Sequence, residues 1–359
     1  MELYFFAIFT KPDTAHTQSS LKFIMETESA QLQFFKHIKS ILPAHLSLVD
    51  AVADVLEVSN DSAYRRIRGE THISMEEIKK LCISFKISLD QLLHLNSDSF
   101  IFIGKLTNNA DFNYDKWLQS CLDVIKRVKT FEPHHMSYLA KEFPFFYYFL
   151  IPEIAAFKSF FFMKTIFVYD DWKNARFSVN DDYSRYHKIS EDLSNTFATI
   201  PGTEIWNVEN ITSTIHQIEF YVTTGVLKSL DDAVCLFNKL LELIEHIELQ
   251  AEYGIKLSRG QKSSLVAGPP YNMFINELIM GDNMQIVQLG DKHFTYLNHS
   301  IINFMFTYDD KFNNYMKKTF DVILQKSTPI SRVNEKERLV FFNRLRAYVN
   351  NAKQKLLLT

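Results

Sequence analysis

Glycine and proline are scarce in this chain, nine of each in 359 residues. That scarcity favours long, well-packed helices over a loop-rich or all-β fold. Cysteine is scarcer still. Cys82, Cys121 and Cys235 stand far apart and form no CxxC or other ligand spacing, so a disulfide framework and a cysteine-rich zinc module are both excluded. A reduced, cytoplasmic setting is the expectation. An excess of one charge is also lacking: 39 Lys and Arg face 42 Asp and Glu, a net of −3. Nothing global advertises nucleic acid or an anionic membrane, and any case for DNA must rest on local charge.

Long apolar runs are missing too. Within the segment from Phe143 to Phe167, Pro152, Glu153, Lys158 and Lys164 interrupt the apolar residues. No stretch of about 20 uncharged residues is left to cross a bilayer, so no membrane contact is expected. The opening MELYFFAIFT has no basic residue before its short apolar run, which is unlike a secretory signal. Residues 11 to 24 are polar and patternless, and Met25 begins an amphipathic stretch. The expectation is that translation starts at Met25 and that residues 1–24 are a non-native or disordered extension.

Signatures of chemistry are absent as well. None of the twelve histidines forms HExxH or another i, i+4 pair, and the adjacent His134 and His135 have no matching carboxylate or thiol spacing. In GIKLSRGQKSS five residues separate Gly254 from Gly260 and Gln261 precedes Lys262, so the spacing of a phosphate loop is not met. The neighbouring pairs Asp170 and Asp171, Asp181 and Asp182, and Asp309 and Asp310 suit turns and caps, because adjacent side chains diverge. There is no GxSxG elbow. The reading is therefore no enzyme, no catalytic residue, no cofactor and no metal.

What the chain does have is length and aromatic mass. Its 359 residues carry 32 Phe and 16 Tyr, enough for two domains. The fold expectation is mainly α. A five-helix N-terminal bundle over 25–98 and a linker over 99–110 lead to a larger, mostly helical α+β domain over 111–359 with a small antiparallel sheet.

The first domain punctuates itself. Ser74 is followed by Glu77, a capping box, with Ile73 and Ile78 as its hydrophobic staple, and Ser88, Gln91, Ile87 and Leu92 repeat the pattern. Ser47 with Asp50 and Ser59 with Ser62 are weaker starts of the same kind. Helices follow at about 29–41, 47–56, 60–68, 75–85 and 89–95. The second and third are joined within three residues of Leu56, the spacing of a helix-turn-helix. Leu48, Val52 and Leu56 give the buried stripe of the second helix, and Ala53 is small where its partner must cross. In the third, Tyr64, Ile67 and Ala63 should face the core, leaving Asp61, Ser62, Arg65, Arg66 and Arg68 outward. Gly69 stands where a left-handed C′ residue ends a helix.

The segment VADVLEVSNDSAYRRIRGETHISMEEIKKLCISFKISLDQLL resembles a Cro/C1-type DNA-binding domain, and its YRRIRGE is especially similar to BetR-type bacterial regulators. It departs from the wider pattern at Glu57, where glycine often forms the turn. The resemblance implies a transcription regulator whose third helix lies in the major groove of double-stranded DNA. Asn60, Asp61, Ser62 and Arg65 would then stand at the bases, Arg66 and Arg68 on phosphate, and Ser59 at the helix start would complete the DNA-binding set. Against this, residues 26 to 97 hold ten acidic and eight basic side chains, a net of −2. The alternative is a protein-interaction module whose helix-turn-helix bundle does not read DNA.

The C-terminal part reads as dimerisation or effector sensing, with a homodimer and an unidentified small-molecule or protein effector as expected partners. Trp117, Cys121, Val124, Ile125 and Val128 recur at helical spacing. A helical region follows over 136–167, broken at Pro144 and Pro152. Helices are expected near 212–224, 230–252, 309–325 and 335–355, the last capped by Asn334 with Glu337. NMFINELI, MQIVQLG and HFTYLNH read as a small antiparallel meander. Half of the residues from Phe143 to Phe162 are aromatic, fitting a packed core first, then a dimer interface, then a pocket lined by Phe145, Tyr147 and Tyr148. KSTPISRVNEKER, from Lys326 to Arg338, collects cations at a helix start, where an anion or a simple cap would fit.

Overall fold

The computed structural model describes residues 29–42, 46–85, 87, 89, 100–104, 113–261, 267–278, 281–299 and 303–358. The expected extension over 1–24 lies outside them, as do the second capping box and most of the helix expected at 89–95. The chain divides into two compact units between Asp98 and Ser99.

In the first unit, Ser29, Ser47 and Ser59 each accept the backbone N–H three residues on, which starts α1 (Ala30–Ile41), α2 (Leu48–Leu56) and α3 (Asn60–Ile67). The capping box of Ser74 and Glu77 starts α4 (Met75–Phe85), with the Ser74 N–H donating to Glu77 Oε2 at 2.8 Å and the Glu77 N–H to Ser74 Oγ at 3.2 Å. Phe34, Phe35, Ile38, Val52, Ala53, Leu56, Ala63 and Leu81 form the core. Leu56 lies one helical turn beyond Val52, so α2 presents one apolar edge to α3 and α4. The five-helix bundle is not matched, because four helices account for the described residues.

The second unit corrects the fold expectation more deeply. Its centre is one eight-stranded mixed sheet, not a small antiparallel one, in the order β1-β7-β6-β5-β2-β3-β4-β8. The strands are β1 (Ile103–Gly104), β2 (His134–Leu139), β3 (Gly202–Trp206), β4 (Tyr271–Ile275), β5 (Met284–Leu289), β6 (Lys292–Asn298), β7 (Phe304–Phe306) and β8 (Thr328–Pro329). β2, β3 and β4 run parallel, and the other pairings are antiparallel. The three runs expected to form a meander are all strands, but only β5 and β6 make a hairpin, turning at Gly290 with φ of +61°. β4 pairs with β3 and β8 instead. The expected helical region over 136–167 begins as β2, because parallel strands draw their partners from distant sequence.

Helices α5 (Tyr114–Val128), α6 (Pro152–Phe161), α7 (Ser184–Phe197), α8 (Thr212–Thr223), α9 (Leu230–Tyr253) and α11 (Glu335–Leu357) contribute to the large core that also takes in Met136, Trp206, Tyr271, Met273 and Val287 from the sheet. Alternate residues on the same strands, Leu139, Ile205, Met284 and Ile286, pack with Phe320 of α10 (Asp310–Gln325). The period of two thus divides the sheet between two helical layers. The aromatic run is core: Phe146, Tyr147, Tyr148, Phe149, Phe157 and Phe160 are all buried, each contributing roughly 1.5–3 kcal/mol by removal from water.

Asn334 does not cap α11 with its side chain. It is left-handed, and its Nδ2 donates to the Pro329 carbonyl at 2.8 Å. Arg332 and Arg338 in the same segment are engaged with backbone carbonyls, Arg332 Nε with Tyr253 O at 2.8 Å and Arg338 Nη1 with Ile330 O at 3.0 Å. Among the described residues no helix is long and apolar enough to cross a membrane.

Candidate nucleic-acid interface

The α2–α3 turn is made without glycine. Glu57 takes the left-handed conformation itself, at φ 58° and ψ 42°, and the Val58 N–H donates to the Ala53 carbonyl at 3.1 Å. Ala53 is 5% exposed and Ala63 fully buried, so two methyl-sized side chains stand in the core where the helices meet. Gly69, at φ +76°, closes α3: its N–H donates to Arg66 O at 3.0 Å and the Glu70 N–H to Arg65 O at 2.9 Å, the paired bonds of a Schellman motif. Gln31 of α1 fixes the exit. Its Nε2 donates to the Arg66 and Thr71 carbonyls, both at 2.7 Å, and its Oε1 accepts the Ile73 N–H.

Within this frame the seven expected site residues separate. The Ser59 hydroxyl accepts the Ser62 N–H at 3.3 Å and caps the helix. Asn60 Nδ2 donates back to Asp50 Oδ1 of α2 at 2.9 Å. Arg66 turns away from the outer face: Nε donates to Glu77 Oε1 at 3.0 Å, Nη2 lies 2.9 Å from the same oxygen, and Nη1 reaches the Ser62 carbonyl and hydroxyl. Its side chain is only 16% exposed. Asp61 and Arg65 remain outside, paired at 3.1 Å between Arg65 Nε and Asp61 Oδ2. Arg68 is exposed, 3.3 Å from Glu70 and over the Tyr64 ring at 5.5 Å.

Tyr64 itself corrects the expected facing. Ala63 and Ile67, four apart, take the inward positions, and Tyr64 lies 46% exposed on the outer face. Sequence periodicity treated Tyr64 as apolar, and its hydroxyl is what lets it stay in water. The signals missed in sequence were Gln31, a single polar residue in α1, and Glu77, whose capping role hid its second role as partner to Arg66.

The electrostatics of this face are balanced locally. Beside the pairs just described, Lys80 Nζ lies 3.8 Å from Glu57. Burial raises the Glu77 carboxyl, but the Ser74 N–H and the Arg66 guanidinium outweigh it, and the group titrates below the usual carboxylate range. Every exposed pair here is screened and individually weak, so each cation is free to exchange its carboxylate for another anion.

The second unit holds two buried lysines that sequence reading passed over. Lys256 donates to Glu204 Oε1 at 2.7 Å, and Glu204 also accepts from Tyr147, Tyr271 and Trp206. Lys158 has no such carboxylate. It donates to Thr214 Oγ1 at 2.8 Å and Gln217 Oε1 at 2.7 Å and lies 4.0 Å from the centre of the Tyr148 ring. Tyr147 and Tyr148, expected as walls of a pocket, are therefore packed against these lysines. No group of three or more His, Cys, Asp or Glu among the described residues is arranged to hold a metal. His135 accepts or donates with Thr203 Oγ1 at 3.0 Å, and burial pushes its pKa down to about 4. No family model, curated protein or solved structure matches the chain.

Proposed function

We propose that the chain is a sequence-specific DNA-binding transcription regulator in which α3 enters the major groove of double-stranded DNA. The observation that carries the reading is the α2–α3 pair: a tight left-handed turn at Glu57, a Schellman stop at Gly69, and between them an outer face bearing Asp61, Tyr64, Arg65 and Arg68. A helix held this way presents its N-terminal side chains to base edges while neighbouring groups grip phosphate. Ser59 caps α3, and Asn60, Ser62 and Arg66 hold it through bonds to Asp50 and Glu77 and to one another.

The second unit supplies dimerisation or effector sensing in this reading, and two α3 helices would address half-sites about 34 Å apart. With a net charge of −2 over residues 26–97, non-specific affinity is weak, and a dimer is required for tight binding. No catalytic step is assigned. None of the three partly buried cysteines forms a disulfide, which suits a cytoplasmic setting.

The test is selection of duplexes from a random library by the full-length protein, followed by fluorescence anisotropy on the enriched sequence. The reading expects one enriched motif, and Arg65→Ala should weaken its binding about tenfold or more, in line with loss of one bidentate base contact. A second reading, a protein-interaction module, is favoured by the pairing of Arg65 on α3 and of Arg68 at its C-cap with carboxylates. It expects no enrichment and no effect of Arg65→Ala on duplex binding.

A further inference from the structure

On the DNA-binding reading, the side chains of α3 are not equally available. Ser59 is spent on its cap, Asn60 is tied to Asp50, and Ser62 is tied to Arg66, which in turn binds Glu77. Arg68 sits at the C-terminal end beside Glu70 and Tyr64. Asp61 and Arg65 differ: their side chains are 72% and 58% exposed, and they pair with each other. Asp61 is the second residue of α3, in the turn that reaches deepest into a groove, and Arg65 follows one turn later on the same face.

We propose that Asp61 and Arg65 read one G·C base pair as a unit, Arg65 donating to guanine O6 and N7 while Asp61 accepts from the cytosine N4 amino group. The proposal rests on the DNA-binding reading. Its chemistry follows from what the two groups lack. A guanidinium has no acceptor and an ionised carboxylate has no donor. Across the major groove a G·C pair offers two adjacent acceptors and then one donor. An A·T pair interrupts its acceptors with the adenine N6 donor and ends on a methyl group. The arginine fork fits only the first pattern, and the donor beside it falls to the carboxylate.

The same pair explains the balanced charge of the face. A carboxylate near phosphates is repelled by DNA in general and is compensated only where cytosine N4 donates to it. Asp61 therefore lowers affinity for every sequence and returns it at one, a discriminating element of the repulsive kind. Replacing it should raise binding to random DNA while erasing one position of specificity.

The experiment selects duplexes with the full-length protein, its Asp61→Asn variant and its Arg65→Lys variant, and titrates each against the enriched motif and a scrambled duplex. Expected are a G·C pair in the wild-type motif, loss of about tenfold preference at that pair in both variants, and a several-fold gain of Asp61→Asn on the scrambled duplex. Asn can neither repel phosphate nor keep the acceptor-only pattern, so the two effects appear together. An unchanged motif with Asp61→Asn, or discrimination lost at different positions in the two variants, overturns the inference and leaves DNA binding standing. A wild-type protein that enriches nothing overturns both. Unfolding midpoints matching the wild type show that either variant acts at the surface.

Discussion

Arg66 and Glu77 form the half-buried contact that joins α3 to the cap of α4, with Arg66 Nε and Nη2 3.0 Å and 2.9 Å from one oxygen and the Ser74 N–H on the other. Two helices are thereby locked through one carboxylate. Arg66→Ala should destabilise the first unit by about 1–3 kcal/mol, since it strips charged hydrogen bonds from a partly buried partner. Arg65→Ala should stay within about 0.5 kcal/mol, because its pair is exposed. Hydrogen exchange of α3 amides in the full-length protein distinguishes the two, and equal protection in both variants would refute the structural role of Arg66.

The same contact gives a pH dependence. The folded Glu77 carboxyl titrates below its unfolded value, so its contribution is fully present above the unfolded value and disappears as pH falls through the folded one. Glu77→Gln should remove part of the acid sensitivity of the first unit below about pH 4.5. Amide exchange followed between pH 3 and 6 would show it. A variant as acid-sensitive as the wild type would assign the slope to other carboxylates.

Lys158 is predicted to cost stability. The residue is 2% exposed, and its ammonium is bonded only to neutral oxygens among the described residues. Burial pushes its pKa down to about 7, against a smaller pull from Glu142. Unfolded lysine keeps its proton to about pH 10.4, so the unfolded chain binds the extra proton between those values and stability rises with pH across that window. Lys158→Met should stabilise the protein by about 1–4 kcal/mol at pH 6 and flatten the rise between pH 7 and 10. Urea midpoints at pH 6, 8 and 10 test both parts. A destabilised variant at pH 6 would show that Thr214 and Gln217 need the ammonium more than the core resists it.

Local features of the fold were legible in the sequence, and those decided by distant pairing were not. Ser74 with Glu77, the turn after Leu56 and Gly69 are written in neighbouring residues and appear as read. HHMSYL and GTEIW gave no strand signal, because β2 and β3 are buried on both faces and lack the alternation of a half-exposed strand. Asn334 with Glu337 satisfied the pattern of a capping box, yet the chain there is bent by its contacts with Pro329 and Tyr253. At the candidate site, sequence could place α3 but not decide between Arg65 and Arg66. That choice depends on Glu77, eleven residues away, rather than on helical period.

Glu204 and Lys256 make a further test, because both are buried to within 2% of full exclusion and meet at 2.7 Å. Burial lowers the Lys256 pKa while Glu204 opposes it. Lys256→Met should cost about 3–5 kcal/mol by leaving the carboxylate alone with neutral donors. The double variant Glu204→Leu with Lys256→Met should recover most of that loss, since matched apolar groups avoid burying charge. Thermal unfolding of the single and double variants gives the coupling, and additive losses would mean that Tyr147, Tyr271 and Trp206 depend on the carboxylate themselves.

Gly254 makes the sharpest steric prediction. It ends α9 in the left-handed conformation at φ +62°, and a Cβ there would stand 2.4 Å from Arg332 Nε, which donates to the adjacent Tyr253 carbonyl. Gly254→Ala therefore combines backbone strain of about 1–2 kcal/mol with crowding of about 1–3 kcal/mol. The two contributions separate in a double variant. Adding Arg332→Ala removes the obstructing guanidinium and its carbonyl contacts but leaves φ unchanged, so the strain should persist while the crowding is relieved. Urea unfolding of Gly254→Ala, Arg332→Ala and the pair measures each part. If the double variant is less stable than the two single losses added together, the steric account of Gly254 fails, because relief of the clash must make the losses less than additive.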